Sequence, residues 1–260
     1  MPQYPYYEEY KADTERNQLV AQSNSFIRET QNNLSLQQQK IILYIISKIK
    51  PTDEDLKTYE IDIKDFCKVC GIDDNNGNNY KYLRDSIIKL HNASFWFITD
   101  KKIMLLDWIQ RVEIQQDTTK VSFRLDDRLK PYLLELKENF TAYELGNALV
   151  LSSKHSINLY QLLKSYVYLG DVSFTIDELK QHLQIDSSKY PLYKDFRRYI
   201  IEKSIAEINE YTDIIIDYKA RRSGRITKYI DFYIAQKDLS DRQSARLERD
   251  CKFDRSNKNG

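Results

Sequence analysis

Cations are concentrated in one short segment near the end of the chain. Between positions 219 and 228 there is no acidic residue, and the basic residues are Lys219, Arg221, Arg222, Arg225 and Lys228. Gly224 lies among them, between the β-type sequences IIIDYKA and ITKYIDFYIA, which predicts a β-hairpin with a basic turn. Such a hairpin could hold phosphate groups, and the alternative interpretation is an ordinary charged turn.

A second set of cations lies on a predicted helix over about Leu192 to Tyr211. Its apolar residues fall on one side: Phe196, Ile200, Ile201, Ile205 and Ile208. The opposite side of its first two turns carries three cations: Lys194, Arg197 and Arg198. Cations at a helix N-terminus oppose the helix dipole and add no folding stability, so they need another reason. In a helix-turn-helix this part of the second helix enters the DNA major groove, where Arg and Lys donate to guanine.

The two basic segments support one another. For an isolated helix, a solvated charged face would be the better interpretation of these cations. The basic hairpin close behind the helix favours DNA. Asp195 could accept a hydrogen bond from a cytosine amino group or pair with a nearby cation. Over the whole chain Lys+Arg number 40 against 39 Asp+Glu, so net charge alone indicates no polyanionic partner.

Other reactive residue types predict neither catalysis nor a cofactor. Cys67 and Cys70 have the spacing of a zinc knuckle, but no second pair exists and the histidines are scattered: His91, His155 and His182. Buried structural thiols are therefore expected. No glycine belongs to a Walker-type loop, which gives no indication of ATP hydrolysis. The 20 tyrosines suggest a nicking nucleophile, yet that chemistry needs a metal held by clustered histidines. We expect no enzyme activity, no metal and no cofactor.

The sequence resembles itself at a displacement of 113 positions. This displacement superposes Ile63 on Ile176, Ile72-Asp73 on Ile185-Asp186, Tyr80-Lys81 on Tyr193-Lys194, Arg84 on Arg197, Ile87-Ile88 on Ile200-Ile201, and Ala93 on Ala206. Upstream the register shifts by three, with Leu43-Tyr44 matching Leu159-Tyr160, as expected if one loop differs in length. A fixed period indicates a repeated structural unit, so the chain is interpreted as a duplication.

Both halves contain the same order of predicted elements. A helix with apolar residues at i, i+3, i+4 and i+7 is followed by a short strand, a brief helix, a polar turn, a long helix and β-hairpin sequence. The long helices are expected at about Asn79–Asn92 and Leu192–Tyr211. This order predicts an α+β fold of two tandem winged-helix domains related by internal duplication.

The first half repeats the basic pattern in weaker form. Lys81 and Arg84 are present on its long helix, but Asp85 stands where the second half has Arg198. Its sequences FWFIT and KIMLL predict one hairpin, whose loop carries Lys101 and Lys102, and WIQRVEIQ with KVSFRL predict another. We therefore expect the second domain to make the tighter base contacts, and the first to bind more weakly or to serve as a protein interface.

The flanking segments differ from the repeats in composition. An additional leading helix is predicted over Asn17–Thr30 and a connecting helix over Asp126–Lys137. The predicted division is a disordered tail at 1–16, a first winged-helix domain at 17–125, a connecting helix or linker at 126–139, a second winged-helix domain at 140–237, and a mobile charged tail at 238–260. The absence of a secretory signal or long apolar run, with three cysteines, predicts a cytoplasmic protein.

Four segments carry a resemblance to a known family. They are NQLVAQSNSF, LSLQQQKIILYIISKI, SSKHSINLYQLLKSY and YKDFRRYIIEKSIAEINEYTDIIIDY, of which the stretch ending EINEYTDI is the most specific. From about Asn17 to Ala235 the chain resembles the replication initiator (Rep) proteins of theta-replicating, iteron-controlled bacterial plasmids, of the RepE and RepA type. The acidic, tyrosine-rich N-terminus is outside this pattern.

The resemblance implies a function for each domain. Monomers would bind directly repeated iterons at the origin, and dimers formed through the first domain could bind an inverted repeat and repress their own gene. Binding would help to open an AT-rich region and recruit the host initiator ATPase and helicase. The helix with Lys194, Arg197 and Arg198 would then recognise the repeat, and the helix with Lys81 and Arg84 the adjacent groove.

Three other functions remain open at this stage. A transcriptional regulator normally needs one winged helix plus a ligand or dimer domain, so the duplication disfavours it. A nickase or relaxase would cleave a strand of supercoiled origin DNA with magnesium. A protein-interaction scaffold would show no salt-sensitive affinity for DNA.

Overall fold

The computed structural model describes residues 15–70, 77–115 and 118–258, without the side chains of residues 77–80, 254 and 256–258. The chain divides into two compact units. Unit 1 contains residues 1–149 and 252–260, and unit 2 contains residues 150–251. Within the described part of the chain, no helix has the length and apolar content needed to span a membrane.

Unit 1 is built from short helices and antiparallel strands. Its helices are α1 (Asn24–Glu29), α2 (Leu36–Ile46), α3 (Ile63–Cys70), α4 (Gly77–His91), α5 (Lys130–Leu133) and α6 (Leu145–Leu149). Its strands are β1 (Leu19–Ser23), β2 (Thr30–Gln31), β3 (Thr58–Asp62), β4 (Ser94–Ile98), β5 (Ile103–Asp107), β6 (Ile109–Ile114), β7 (Lys120–Leu125) and β8 (Phe140–Glu144). They form sheets in the orders β1-β8, β2-β4-β5 and β3-β7-β6.

Unit 2 has fewer elements. Its helices are α7 (Lys154–Lys164), α8 (Ile176–His182), α9 (Tyr193–Phe196), a π-helical turn (Arg197–Ile201), α10 (Glu202–Tyr211) and most of α11 (Leu239–Lys258). Its strands are β9 (Asp171–Thr175), β10 (Ile214–Ser223) and β11 (Ile226–Gln236), in the order β10-β11-β9. The apolar side of the long helix is buried as predicted, with Phe196, Ile201 and Ile208 fully inaccessible.

The two units share one topology. Helix, strand, helix, helix and two strands correspond to α2-β3-α3-α4-β6-β7 in unit 1 and to α7-β9-α8-α9/α10-β10-β11 in unit 2. In the sheets β3-β7-β6 and β10-β11-β9 the last strand lies between the other two. This is the winged-helix arrangement that the duplication predicted. The β4–β5 hairpin is an insertion found in unit 1.

The predicted leading helix over Asn17–Thr30 is wrong. The structure has a 3₁₀ turn, then strand β1, then the six-residue helix α1. β1 pairs along its length with β8, from Leu19 opposite Glu144 to Ser23 opposite Phe140. Ser23 then caps α1 by accepting from the Phe26 N–H at 3.1 Å. The sequence separation of β1 and β8 explains why local periodicity did not predict this pairing.

This pairing also moves the domain boundary. Residues 140–149, predicted to begin the second domain, belong to unit 1 because β8 completes the sheet with β1. The predicted connecting helix over Asp126–Lys137 is instead a 3₁₀ turn, Asp127–Leu129, followed by the short helix α5.

Most of the described residues in the two predicted tails lie in helical segments. Residues 1–14 of the predicted N-terminal tail lie outside the described residues, but Arg16 donates to Val69 O at 3.0 Å and to Lys68 O at 2.9 Å. The predicted mobile tail at 238–260 is mostly the 20-residue helix α11. The guanidinium of Arg16 lies 4.2 Å from the centre of the Phe253 ring, which is buried. Burial of Ala245 and Phe253 stabilises this helix despite its polar composition.

Candidate nucleic-acid interface

The turn before the long helix of unit 2 is organised by a buried lysine. Lys180 is 6% exposed. Its Nζ donates to three carbonyl oxygens of the turn, Ser187 O at 3.1 Å, Lys189 O at 2.8 Å and Tyr190 O at 3.2 Å. Tyr190 has a φ of 52°, in the left-handed region that costs free energy for a bulky residue. The three hydrogen bonds from the Lys180 ammonium group therefore offset the free-energy cost of the unfavourable backbone conformation at Tyr190. The turn that they stabilise directly precedes α9.

The cations of the long helix lie on its exposed side. Lys194, Arg197 and Arg198 are all exposed, whereas Phe196 and Ile200 between them are buried. Arg198 lies over the ring of Tyr199 at 5.6 Å. Asp195 is half-buried, and no cation of the described residues lies within ion-pair distance of it. The geometry matches the helix of a helix-turn-helix that presents basic side chains to a DNA groove.

One of these cations has an acidic partner that the sequence analysis did not identify. Arg197 Nε lies 3.3 Å from Glu202 Oε1, and both side chains are about half exposed. The π-helical turn between them includes a hydrogen bond from the Glu202 N–H to Arg197 O. A regular helix was expected here, and helical periodicity alone does not reveal such a turn.

The hairpin β10–β11 forms the wing of unit 2. Its strands are paired from Ile214 opposite Gln236 to Ser223 opposite Ile226, with a bulge between Arg221 and Arg222. Gly224 has a φ of 64°, the positive value that its place in the tight turn needs and that glycine adopts readily. The tip is fully exposed, including Ile226 at 74%. Four predicted cations are exposed with no carboxylate within ion-pair distance among the described residues: Lys219, Arg222, Arg225 and Lys228.

The fifth cation of this hairpin is held against the sheet. Arg221 forms an ion pair with Asp231 at 3.1 Å and also donates to Ser173 Oγ at 3.2 Å. Its guanidinium lies 4.2 Å from the centre of the Tyr229 ring. The hydrogen bond from Arg221 and that from Ser173 lower the pKa of Asp231 below its ordinary value. Arg221 therefore already has protein partners, unlike Arg222 and Arg225.

Unit 1 presents a weaker version of this surface. On α4, Lys81, Arg84 and Asp85 are exposed, while Leu83 and Ile87 are buried.

The predicted basic loop of unit 1 is on a different hairpin from its wing. Lys101 and Lys102 lie on the β4–β5 hairpin, which belongs to the sheet β2-β4-β5. By topology the counterpart of β10–β11 is β6–β7. Lys101 and Lys102 therefore do not lie on the wing of unit 1, because strand order in the sheet decides which hairpin is the wing. Their contact with DNA stays a prediction. Cations of β6 and β7 have acidic partners: Arg111 with Glu113, Lys120 with Glu60, and Arg124 with Asp127.

The β4–β5 hairpin has an apolar outer face. Trp96 lies opposite Leu105, and Ile98 opposite Ile103. Trp96 is 49% exposed, Leu105 50% and Ile103 66%. The other face is buried and aromatic, with Phe95 and Phe97 both packed on Phe26. Unbroken apolar runs at Phe95–Ile98 and Ile103–Leu106 were the signal that both faces of this hairpin are apolar. An exposed apolar patch indicates an interaction site.

Among the described residues, the cysteines and histidines form no candidate metal site. Within the described residues, no three His, Cys, Asp or Glu side chains come together as possible metal ligands. Cys67 and Cys70 are buried and form no disulfide bond, and burial raises the pKa of the Cys70 thiol to about 12. His155 Nδ1 lies 2.9 Å from Leu183 O, and His91 Nδ1 lies 3.2 Å from Ile109 O, so both rings have structural partners.

Comparisons with known proteins cover both units. The family model described as "Initiator Replication protein, WH1" matches residues 19–164, and that described as "Initiator Rep protein, WH2" matches residues 175–234. The PI protein of Escherichia coli is 32% identical over 124 residues, which span 42% of this chain and 41% of that protein.

One solved structure shares the fold of this chain. The crystal structure of Pi initiator protein in complex with iteron DNA has a TM-score of 0.71 and 21% identity, over 86% of this chain and 99% of that one. The WH1 domain of MSBI1.176, a replication protein isolated from a multiple sclerosis patient, has a TM-score of 0.26 and 19% identity, over 38% of this chain and 79% of that one. By both family models, which together match more than half of its residues, this chain belongs to the replication initiator proteins that contain a WH1 and a WH2 domain.

Proposed function

We propose that this protein initiates plasmid replication by binding direct DNA repeats, or iterons, at the origin. The observation that carries the proposal is the basic surface of unit 2. Its helix presents Lys194, Arg197 and Arg198, and its wing presents Arg222 and Arg225 without acidic partners among the described residues. A similarly folded relative is the Pi initiator protein, whose crystal structure is a complex with iteron DNA.

The two units are assigned different tasks. In unit 2 the long helix contacts base edges, because arginines on a helix that fits the major groove discriminate between bases. The wing contacts the DNA backbone, because cations at the tip of a hairpin neutralise phosphates. In unit 1 the helix α4 contacts an adjacent groove through Lys81 and Arg84. Its wing contributes less, because the cations of β6 and β7 are paired with carboxylates.

The proposal also includes protein partners. The apolar outer face of β4–β5 supports self-association of unit 1, which would give the dimer that binds an inverted repeat and represses the gene. As an initiator in a bacterial cytoplasm, the protein would recruit the host initiator ATPase and replicative helicase to the opened origin. It acts through binding, without catalysing a reaction itself.

Binding and cleavage assays on origin DNA test this proposal. The full-length chain should bind a duplex with one direct repeat far more tightly than a scrambled duplex of the same composition, and both affinities should fall as salt rises. Equal affinity for the two duplexes would contradict sequence-specific binding, and affinity independent of salt would favour a protein scaffold. Incubation with supercoiled origin DNA and magnesium should leave it intact, and a nick would instead indicate a relaxase.

A further inference from the structure

The π-helical turn determines which residues of the long helix are neighbours. In a regular α-helix with 3.6 residues per turn, side chains five positions apart point in directions about 140° apart. Arg197 and Glu202 are five positions apart, yet their side chains form an ion pair at 3.3 Å. The wider turn, closed by the hydrogen bond from Glu202 N–H to Arg197 O, brings them to one side. π-helical turns inside α-helices are frequent at functional sites.

Glu202 also contacts the wing strand. The hydroxyl of Tyr218, on β10, donates to Glu202 Oε1 at 3.3 Å. Burial, and next the charge of Glu202, raise the pKa of Tyr218 to about 12, so the phenol stays a donor at neutral pH. One carboxylate oxygen therefore contacts both a cation of the helix and the strand that leads to the basic tip.

We propose that Glu202 is a positioning residue that orients Arg197 for base contact and couples the helix to the wing. A carboxylate on a phosphate-binding surface lowers affinity for every DNA sequence, so its presence needs a compensating effect. An arginine side chain has many rotamers, and one held in place by a carboxylate loses less entropy when it meets a guanine edge. Glu202 thus increases discrimination between sequences at the cost of general affinity. This inference rests on the proposed DNA binding by unit 2.

The test compares single and double variants of the full-length chain on one iteron duplex and on a scrambled duplex. We expect Glu202→Gln to weaken iteron binding about tenfold and to leave scrambled binding unchanged or tighter. In an Arg197→Ala background, adding Glu202→Gln should no longer weaken iteron binding and should change the two affinities alike, because the residue that Glu202 positions is gone. Tyr218→Phe should reproduce part of the loss. The control is Glu210→Gln, which removes an exposed charge of the same helix and should leave the ratio of the two affinities unchanged.

Each other outcome overturns the inference in a recognisable way. If Glu202→Gln binds both duplexes more tightly by the same factor, Glu202 acts only as a charge that repels DNA. Altered base preference that persists without Arg197 would make Glu202 itself a base contact. A drop in the thermal midpoint that Glu202→Asp does not rescue, with both affinities reduced alike, would indicate a purely structural role. If the wild-type chain shows no preference for the iteron duplex, the proposed function fails, and this inference fails with it.

Discussion

At the scale of single residues, the partners of each cation decide what it can contribute to DNA binding. Arg221 is occupied by Asp231 and Ser173, whereas Arg222 and Arg225 have no such partner among the described residues. A cation already paired with a carboxylate gains less from a phosphate than an unpaired one, because it must first give up its partner. The position of a basic residue in sequence is therefore an incomplete guide to its role.

The wing variants test this distinction. Changing Arg222 and Arg225 to Ala should weaken specific and non-specific binding alike, and should reduce the salt slope by about 0.9 for each phosphate that is no longer neutralised. Arg221→Ala is the matched control and should leave the slope nearly unchanged, since its guanidinium remains on the sheet. Affinity measured on both duplexes at several salt concentrations gives the slopes. An unchanged slope in the double variant would remove the wing from the interface.

Arg198 is expected to contact a base. Its side chain is exposed on the second turn of the helix and lies over the Tyr199 ring. Arg198→Ala should cost roughly 1–3 kcal/mol of binding free energy and relax preference at one position of the repeat. Binding to a set of single-base variants of the repeat measures this. The control is Lys203→Ala, which removes an exposed cation one turn later and should not relax base preference at any single position of the repeat. If Lys203→Ala relaxes base preference as strongly as Arg198→Ala, base contact is not particular to Arg198.

At the scale of elements, the turn that precedes the long helix depends on Lys180. Lys180→Met keeps the apolar stem but leaves three carbonyl oxygens without their charged donor. Hydrogen bonds to charged groups contribute about 1.5–3 kcal/mol, so we expect a loss of stability of about that size and weaker binding to the iteron duplex. Denaturant unfolding and affinity measure the two effects. Lys189→Met, an exposed change in the same turn, should alter stability by less than about 0.5 kcal/mol. Equal stability of both variants would contradict the role assigned to Lys180.

The β4–β5 hairpin is the element expected to carry self-association. Changing Trp96 and Leu105 to Glu places charges on its exposed apolar face, and should shift any dimer to monomer in sedimentation equilibrium without weakening binding to a single repeat. Tyr168→Glu is the control, because it adds the same charge at a 65% exposed aromatic residue of unit 2. An unchanged dimer dissociation constant in the hairpin variant would place the interface elsewhere.

At the scale of the whole molecule, the duplication predicts the size of the DNA site. Two winged helices on one chain can each place a helix in the major groove, and grooves on one face recur every turn, about 34 Å. One monomer should protect roughly 20 base pairs without a dyad. Protection should be stronger under unit 2, because Arg198 stands where unit 1 has Asp85 and the wing cations of unit 1 have acidic partners.

Footprinting on an isolated repeat, with the mass of the complex, tests this expectation. A monomer with an unequal footprint agrees with it. Specific binding only as a dimer on a palindrome would contradict binding of monomers to iterons, and would favour an ordinary repressor.

The duplication, the winged-helix order and the buried side of the long helix were determined by sequence alone. Each of these three features depends on local periodicity or on a repeated pattern, and both are visible in the amino-acid sequence before any tertiary contact is known. Phe196 and Ile208 could be assigned to the core because a helix of known period has only one apolar side. Exposure of Lys194 and Arg198 followed from the same period.

Other features were decided by tertiary structure. Residues Leu19–Ser23 have a helical pattern but form a strand, because they pair with β8. Local sequence could not predict this strand, since its partner lies far along the chain. Strand order in the sheet made β6–β7, and not the hairpin of Lys101 and Lys102, the counterpart of the wing. Helix α11 is stabilised by burial of residues such as Phe253, which its polar composition does not reveal. The partners of Arg221 and Arg197 depend on cross-strand register and on a π-helical turn, and neither leaves a periodic signal in the sequence.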